Sequence, residues 1–309
     1  MAKLISILST GHSGSTLLNL LIGTLPGVFP TGELKYLPWQ ISRSKNELGS
    51  FKKENLCSCS KKFQQCVVWH KVIDSLSKQK NIDIINNPFD FKISILNSGV
   101  FRKKLNFSEK LLNKTISLAI KKKYNKIIDY LKPFYINEVK NNWDLIDTIG
   151  NLYNYDFVVD STKNILRSYL LYKYRPNDTF LIINNRKNLG YVTSQLLLDQ
   201  SIEKSLKNKY KYFSKVDDIL NNSKVNYLKL NYENWVKEPE LYRKKIAKFL
   251  GIEIHDNKIS IDTRKNHLVA GNPIKYKGKI EIRYDEKYKY ILKQVIVDKI
   301  NSIAKKYQM

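Results

Sequence analysis

Residues 4–22 constrain the fold of this chain more than any other stretch. Leu4-Ile5-Ser6-Ile7-Leu8 is a short apolar run rich in β-formers, and Ser9-Thr10-Gly11-His12-Ser13-Gly14-Ser15-Thr16 is a loop of small and polar residues. Leu17, Leu20 and Leu21 then recur at i, i+3 and i+4, the spacing of one helical face. A strand, a Gly/Ser/Thr loop and a helix in that order make a cradle for an anionic group. The free N–H groups of the first helical turn, the positive end of the helix dipole and small hydroxyls all face the ligand. The stretch is related to the nucleotide phosphate loop but lacks its Gly-x4-Gly-Lys-Ser/Thr form, because Ser15-Thr16 follow Gly14 directly. A nucleotide kinase or hydrolase needs that lysine on the β/γ-phosphates, so this class is disfavoured. A plain strand-to-helix turn without a ligand is the bland alternative.

The same pattern repeats. Val28-Phe29 predicts a brief second strand ending at Thr31-Gly32-Glu33-Leu34. A carboxylate there sits where open α/β sheets keep their chemistry, although Glu33 equally suits a helix start. Phe157-Val158-Val159-Asp160 predicts a third strand, followed by Ser161-Thr162-Lys163-Asn164 and a helical pattern from Ile165. Asp160 or Ser161 could cap that helix beside a functional Lys163. Thr179–Ile183 is a continuous apolar run of the central parallel kind. A helix is expected from near Gly190, so that Arg186 and Ser194 could hold a phosphate together. Lys224–Leu230 predicts another strand, and a helix over Leu241–Leu250 closes at Gly251. The fold class is α/β: a single domain over 1–309, three layers α/β/α around a central parallel sheet. A helical insertion is expected over roughly 70–150, as the wall or lid of an acceptor site. The tail reads as a loop over 267–279 followed by one amphipathic helix to the end.

The chain carries 54 Lys+Arg against 28 Asp+Glu, a net charge of +26. That charge invites a polyanionic ligand: nucleic acid, an anionic lipid or polysaccharide, or a phosphorylated cofactor. The lysines are spread along the chain, and the runs Arg102-Lys103-Lys104 and Lys121-Lys122-Lys123 read as solvated faces. Clustered cations with stacking aromatics on one element are not visible, so a non-catalytic basic nucleic-acid-binding protein is a rival and no specific nucleic acid is expected. No run of about 18 apolar residues marks a membrane span. Lys3 leads an apolar stretch that Gly11–Ser15 splits, so the start is expected to be part of the fold and the protein cytoplasmic. Three cysteines fit a reducing compartment. Cys57, Cys59, Cys66 and His70 have the ligand count of a tetrahedral zinc site, with a tight Cys-x-Cys spacing and a buried structural role as the alternative.

Taken together, these stretches resemble the bacterial branch of the sulfotransferases that use 3′-phosphoadenosine-5′-phosphosulfate. Gly-x-Ser-Gly-Ser-Thr-Leu-Leu at 11–18 looks like the family's 5′-phosphosulfate loop, and Thr31–Leu37 like its Gly-Glu-Leu segment. Cys57-x-Cys59, Cys66 and Trp69 resemble the branch's cysteine-bearing segment, and Val159–Lys163 its Val-Asp-Ser-Ser-Lys. Arg186 through Ser194 looks like the 3′-phosphate segment, and Tyr232-Glu233-Asn234-Trp235 like the Tyr-Glu-Asp-Leu block. His267, Gly271-Asn272-Pro273, Lys275 and Lys277 resemble the C-terminal loop that covers the cofactor. His12 stands where the family commonly has Arg or Lys, and Arg186-Lys187-Asn188-Leu189-Gly190 where it usually reads Arg-Asp-Pro-Arg-Gly.

The resemblance implies a P-loop-like sulfotransferase fold and transfer of a sulfonyl group to an acceptor hydroxyl, leaving 3′,5′-adenosine bisphosphate. It implies Gly11, His12, Ser13, Gly14, Ser15 and Thr16 at the 5′ end of the cofactor and Arg186 and Ser194 at its 3′-phosphate, with Gly271, Asn272, Lys275 and Lys277 over it. Glu33 would be the general base, and Lys163, with His12 second, would stabilise the leaving oxygen. No metal is required on this reading. The acceptor expected is a carbohydrate or glycolipid, with peripheral membrane contact.

Overall fold

The computed structural model describes residues 1–45, 55–95, 107–255 and 259–307. Its centre is a five-stranded sheet of β1 (Lys3–Leu8), β2 (Val28–Pro30), β3 (Phe157–Asp160), β4 (Thr179–Asn185) and β5 (Asn226–Asn231), in the order β2-β3-β1-β4-β5. Every pairing is parallel, with Ser6 opposite Asp160 on one side of β1 and Leu8 opposite Ile183 on the other. The apolar run of β1 follows from this central position: Leu4, Ile5, Ile7 and Leu8 are all fully buried.

Alternation along the strands feeds two cores. Leu4, Leu8, Val158, Leu181 and Ile183 pack on one face with α2 (Leu37–Lys45), α3 (Val67–Lys80), α6 (Ile136–Tyr153), α7 (Ile165–Tyr174) and α9 (Ile202–Asn221). Ile5, Ile7, Val28, Val159 and Ile182 pack on the other with α1 (Ser15–Ile22), α10 (Tyr232–Lys237) and α11 (Pro239–Leu250). This is a three-layer α/β/α fold. Between β2 and β3 the described elements are helical, with α4 (Phe107–Lys121) and α5 (Asn125–Tyr130) alongside α3 and α6. Lys121, Lys122 and Lys123 are exposed there, whereas Arg102-Lys103-Lys104 lies outside the described residues.

The chain goes from β1 out to the edge at β2, returns to β3, then crosses to β4 (Thr179–Asn185) on the far side of β1. The C-terminal end of β1 is therefore the switch point at which such sheets open a crevice.

Three features differ from the expectation. Lys224 and Val225 precede β5, which runs on to Asn231. The tail is two helices, α12 (Tyr288–Ile291) and α13 (Gln294–Lys305), because Leu292 and Lys293 are extended. That break lets Ile300 and Ala304 pack on Tyr191 and Val192 of α8 (Asn188–Leu196) and on Ile202 and Leu206 of α9. A short antiparallel pair, β6 (Ile261–Asp262) with β7 (Lys279–Ile280), frames the 267–277 loop. Among the described residues no helix is long and apolar enough to cross a membrane.

Candidate active site

The loop after β1 is held by backbone geometry that only certain residues permit. Gly14 caps α1 at φ 79°, and a Cβ there would lie 2.5 Å from the Tyr232 ring. Thr10 and Ser13 share a hydrogen bond of 2.6 Å between their hydroxyls. Asn184 Nδ2 donates to Ser13 O at 2.6 Å, and Trp235 Nε1 fixes that Asn by donating to its Oδ1 at 2.9 Å. The first-turn amides of α1 have no intrahelical acceptors, and acidic residues are absent from that turn. The cradle is thus open to an anion.

Glu33 follows β2, and its side chain caps no helix. It forms instead an ion pair with Lys163 after β3, Nζ to Oε1 at 2.5 Å, with both side chains largely buried. Lys163 adopts φ 63°, the left-handed region, and Tyr212 Oη donates to its carbonyl at 3.0 Å. His12, at φ 59°, has its pKa lowered from 6.5, first by desolvation and then by the charges of Lys163 and Arg186, with Glu33 opposing. Burial and these two cations thus disfavour the charged form of the His12 imidazole.

Asp160 is committed elsewhere. Its carboxylate pairs with the buried Arg167 and accepts from the Leu34 amide at 3.1 Å and the Thr162 amide at 2.9 Å. It thereby ties the segment carrying Glu33 to the one carrying Lys163. The cap of α7 is Asn164, which accepts from the Arg167 amide at 3.0 Å, rather than Asp160 or Ser161.

Arg186, at the end of β4, lies under the loop. Its Nη1 donates to His12 O at 3.0 Å and to Ser194 Oγ at 3.1 Å, so the structure joins the expected 3′ pair to the expected 5′ loop. The guanidinium lies 4.7 Å from the centre of the Tyr232 ring. A Cβ at Gly190 would come within 2.9 Å of Arg186 Nε, which explains the glycine. Arg186 Nη2 also pairs with Asp285 at 3.1 Å. Three buried polar atoms at strand exits lack partners among the described residues: Ser9 Oγ after β1, Ser161 Oγ after β3 and Arg186 Nε after β4. Unsatisfied polar groups at one end of a sheet fit a polar ligand there.

The 267–277 loop closes the far wall. Gly32 and Ala270 form a parallel bridge, and Glu33 N donates to Ala270 O at 3.2 Å. Asn272 N donates to Thr16 Oγ1 at 3.1 Å, and Gly271, at φ 141°, leaves room for that hydroxyl 2.9 Å from where a Cβ would stand. Lys277 is exposed. Lys275 corrects the expectation of a cofactor-facing cation. Its ammonium is buried and donates to Leu56 O at 3.0 Å and Val269 O at 2.9 Å, so it braces the loop from inside.

The cysteine group is also corrected. Cys57, Cys59 and Cys66 gather with His267, not with His70. Cys66 stands just before α3 in an extended conformation, while His70 lies on the exposed side of that helix.

Sequence reasoning missed Lys35 and Asp285. Lys35 is buried two residues beyond Glu33, and burial lowers its pKa to about 8, with Glu33 opposing. Its place next to the Gly-Glu-Leu segment was a usable signal. Asp285 had none, because its approach to Arg186 depends on the return of the tail.

No family profile and no curated protein matches the chain. Two solved structures are similar to it in fold. A sulfotransferase domain from the curacin biosynthetic pathway is 14% identical, with a TM-score of 0.50 over 100% of this chain and 98% of that one. A sulfotransferase domain from the Synechococcus PCC 7002 olefin synthase is 15% identical, with a TM-score of 0.52 over 99% of this chain and 94% of that one. The fold is that of sulfotransferase domains.

Proposed function

We propose that the chain moves a sulfonyl group from 3′-phosphoadenosine-5′-phosphosulfate to an acceptor hydroxyl. The observation that carries this reading is the joining, through Arg186, of an anion cradle at 13–16 to a Ser194 hydroxyl, with the Glu33–Lys163 pair on the neighbouring strand ends. Arg186 Nε and Ser9 Oγ, both buried beside the loop, have no partner among the described residues, which supports a polar ligand nearby. The amides and hydroxyls of Ser13–Thr16 would hold the 5′ end of the donor, and Arg186 with Ser194 its 3′-phosphate. Gly271 and Asn272 approach from the opposite wall.

When bound, the donor supplies an activated sulfonyl group on a phosphate leaving group. The protein's share is placement and charge. Glu33 Oε takes the proton of the acceptor hydroxyl, and Lys163 Nζ presents positive charge to the oxygen that departs. The ion pair holds the two groups 2.5 Å apart before an acceptor enters.

The acceptor is a carbohydrate or glycolipid hydroxyl on this reading. The net charge of +26 favours an anionic acceptor and contact with an anionic membrane surface from the cytoplasmic side.

Thermal unfolding with three ligands tests the donor assignment: 3′,5′-adenosine bisphosphate, ATP with Mg²⁺, and an oligonucleotide. Bisphosphate at 100 times its Kd should stabilise the fold by about 2.7 kcal/mol. A shift with ATP or oligonucleotide and none with bisphosphate would sink the reading. Transfer of labelled sulfonyl groups to a panel of glycans, glycolipids, peptides and small metabolites then identifies the acceptor.

A further inference from the structure

We propose that Cys57, Cys59, Cys66 and His267 bind one zinc ion in a closed structural site, and that this ion fastens the 267–277 loop to the body of the protein. The three sulfurs and the ring nitrogen all lie within 4.8 Å of one another. Cys57 Sγ and Cys66 Sγ are 3.6 Å apart, and His267 Nδ1 lies 3.8 Å from Cys57 Sγ and 3.2 Å from Cys66 Sγ. A tetrahedral zinc ion with ordinary bond lengths needs about 3.8 Å between two sulfurs and about 3.5 Å between sulfur and nitrogen. The three separations among Cys57, Cys66 and His267 are therefore within a few tenths of an ångström of that tetrahedron, and Cys59 Sγ lies within 4.8 Å of each of them. The cysteines stand as three free thiols. Soft thiolates with one imidazole select zinc over calcium or magnesium, and four protein ligands leave no position open for catalysis.

The surroundings set each donor in place. Ser60 N donates to Cys57 O at 2.8 Å and Cys57 N to Lys61 O at 3.0 Å, with Ser60 at φ 65°; this tight turn brings the first two thiols together. Cys66 directly precedes α3 in an extended conformation, so the start of that helix fixes where its sulfur stands. His267 adopts φ 51°, an unusual conformation for a residue with a side chain. Its carbonyl accepts from Trp69 Nε1 at 2.6 Å, which locks that conformation against α3. Ser58 Oγ accepts from Leu268 N at 2.8 Å, and Ser58 N donates to Leu268 O at 3.2 Å. The turn holding two of the thiols is thus sewn to the residue after His267. Val269 N donates to Thr31 O at 2.8 Å, and Glu33 N and Thr16 Oγ1 are the next points of contact along the loop. The ion would sit at the root of this chain of contacts.

Elemental analysis and native mass spectrometry of the full chain, expressed with zinc and purified without chelator, should give one zinc per chain. Cobalt exchanged into the site should give the intense visible bands of tetrahedral cobalt thiolate. Cys66→Ser and His267→Ala should lose the metal, His267→Cys should keep it, and His70→Ala should keep it fully. Chelation of the wild type should speed hydrogen exchange at the amides of 267–277. The wild-type and cobalt measurements need no variant to fold. A metal-free wild type with three titratable thiols, or one with a Cys57–Cys66 disulfide, overturns the site, as does metal lost in His70→Ala but kept in His267→Ala. Unchanged exchange after complete zinc removal overturns the fastening role. None of these readouts depends on the sulfonyl-transfer reading.

Discussion

Asp285 accepts a hydrogen bond from the guanidinium that is assigned to a phosphate, and the two groups cannot both have Arg186 Nη2 to themselves. Asp285 is about one-third exposed, so releasing it costs little, on the scale of a partly solvated ion pair. Asp285→Asn should therefore tighten binding of 3′,5′-adenosine bisphosphate only modestly, by roughly twofold to fivefold, read by titration calorimetry at fixed salt. Arg186→Ala should abolish the same signal. At Glu33 the argument concerns rate. A positioned base contributes about 10²–10⁴-fold, so Glu33→Gln should cut turnover by that factor and leave bisphosphate affinity near wild type. Undiminished turnover would remove Glu33 from the chemistry.

Lys35 and Lys209 carry a pH signature. Burial holds both ammonium groups at about 8, below the 10.5 of an unfolded lysine. Between those values the unfolded chain binds more protons at these sites, so stability should rise with pH from about 8 towards 10. The slope is at most about 1.4 kcal/mol per pH unit for each lysine. Below pH 8 both states are protonated and the contribution is flat. Urea unfolding from pH 7.5 to 10 measures this, and Lys35→Met should remove its share of the rise.

At the scale of elements, the turn from β1 into α1 depends on Gly14. Its positive φ and the Tyr232 ring 2.5 Å from a would-be Cβ act together. Gly14→Ala should cost about 1–3 kcal/mol in thermal or denaturant unfolding and weaken bisphosphate binding further, because the loop must shift. The strand-loop-helix units were readable because each carries its own local signal: an apolar run, polar residues at its exit, then helical spacing. Glu33, Lys163 and Arg186 were readable for the same reason, as strand-exit residues. What local pattern cannot supply is which distant segment returns to a strand end. His70 lies four residues from Cys66 and looked the natural ligand, but His267 is the residue that arrives. Lys275 looked like a cation for the ligand, and only the fold reveals the two carbonyls that take its ammonium.

For the molecule as a whole, 54 basic against 28 acidic side chains means that the folded state repels itself. Isolated surface ion pairs offset little of this, because exposed pairs contribute about 1 kcal/mol or less. Added salt shortens the reach of that repulsion to about 8 Å at physiological strength. The melting temperature should therefore rise between very low salt and about 0.15 M, and a fall on adding salt would show that specific ion pairs outweigh the net charge. The parallel sheet and its layers were legible from the sequence at this scale, whereas the framing of the 267–277 loop by β6 and β7 was not. Those strands are two residues each and carry no periodic signal.

The meeting of Thr16 with Asn272 and of Gly32 with Ala270 also has a consequence in time. A ribosome delivers the cradle first and the wall that completes it only much later. Contacts of such long sequence separation form late and slowly. A nascent chain stalled before residue 267 would carry the strand and loop of the cradle without the loop that closes it. On the proposed reading, ligand capture is a property that the polypeptide acquires only once residues 267–277 have emerged.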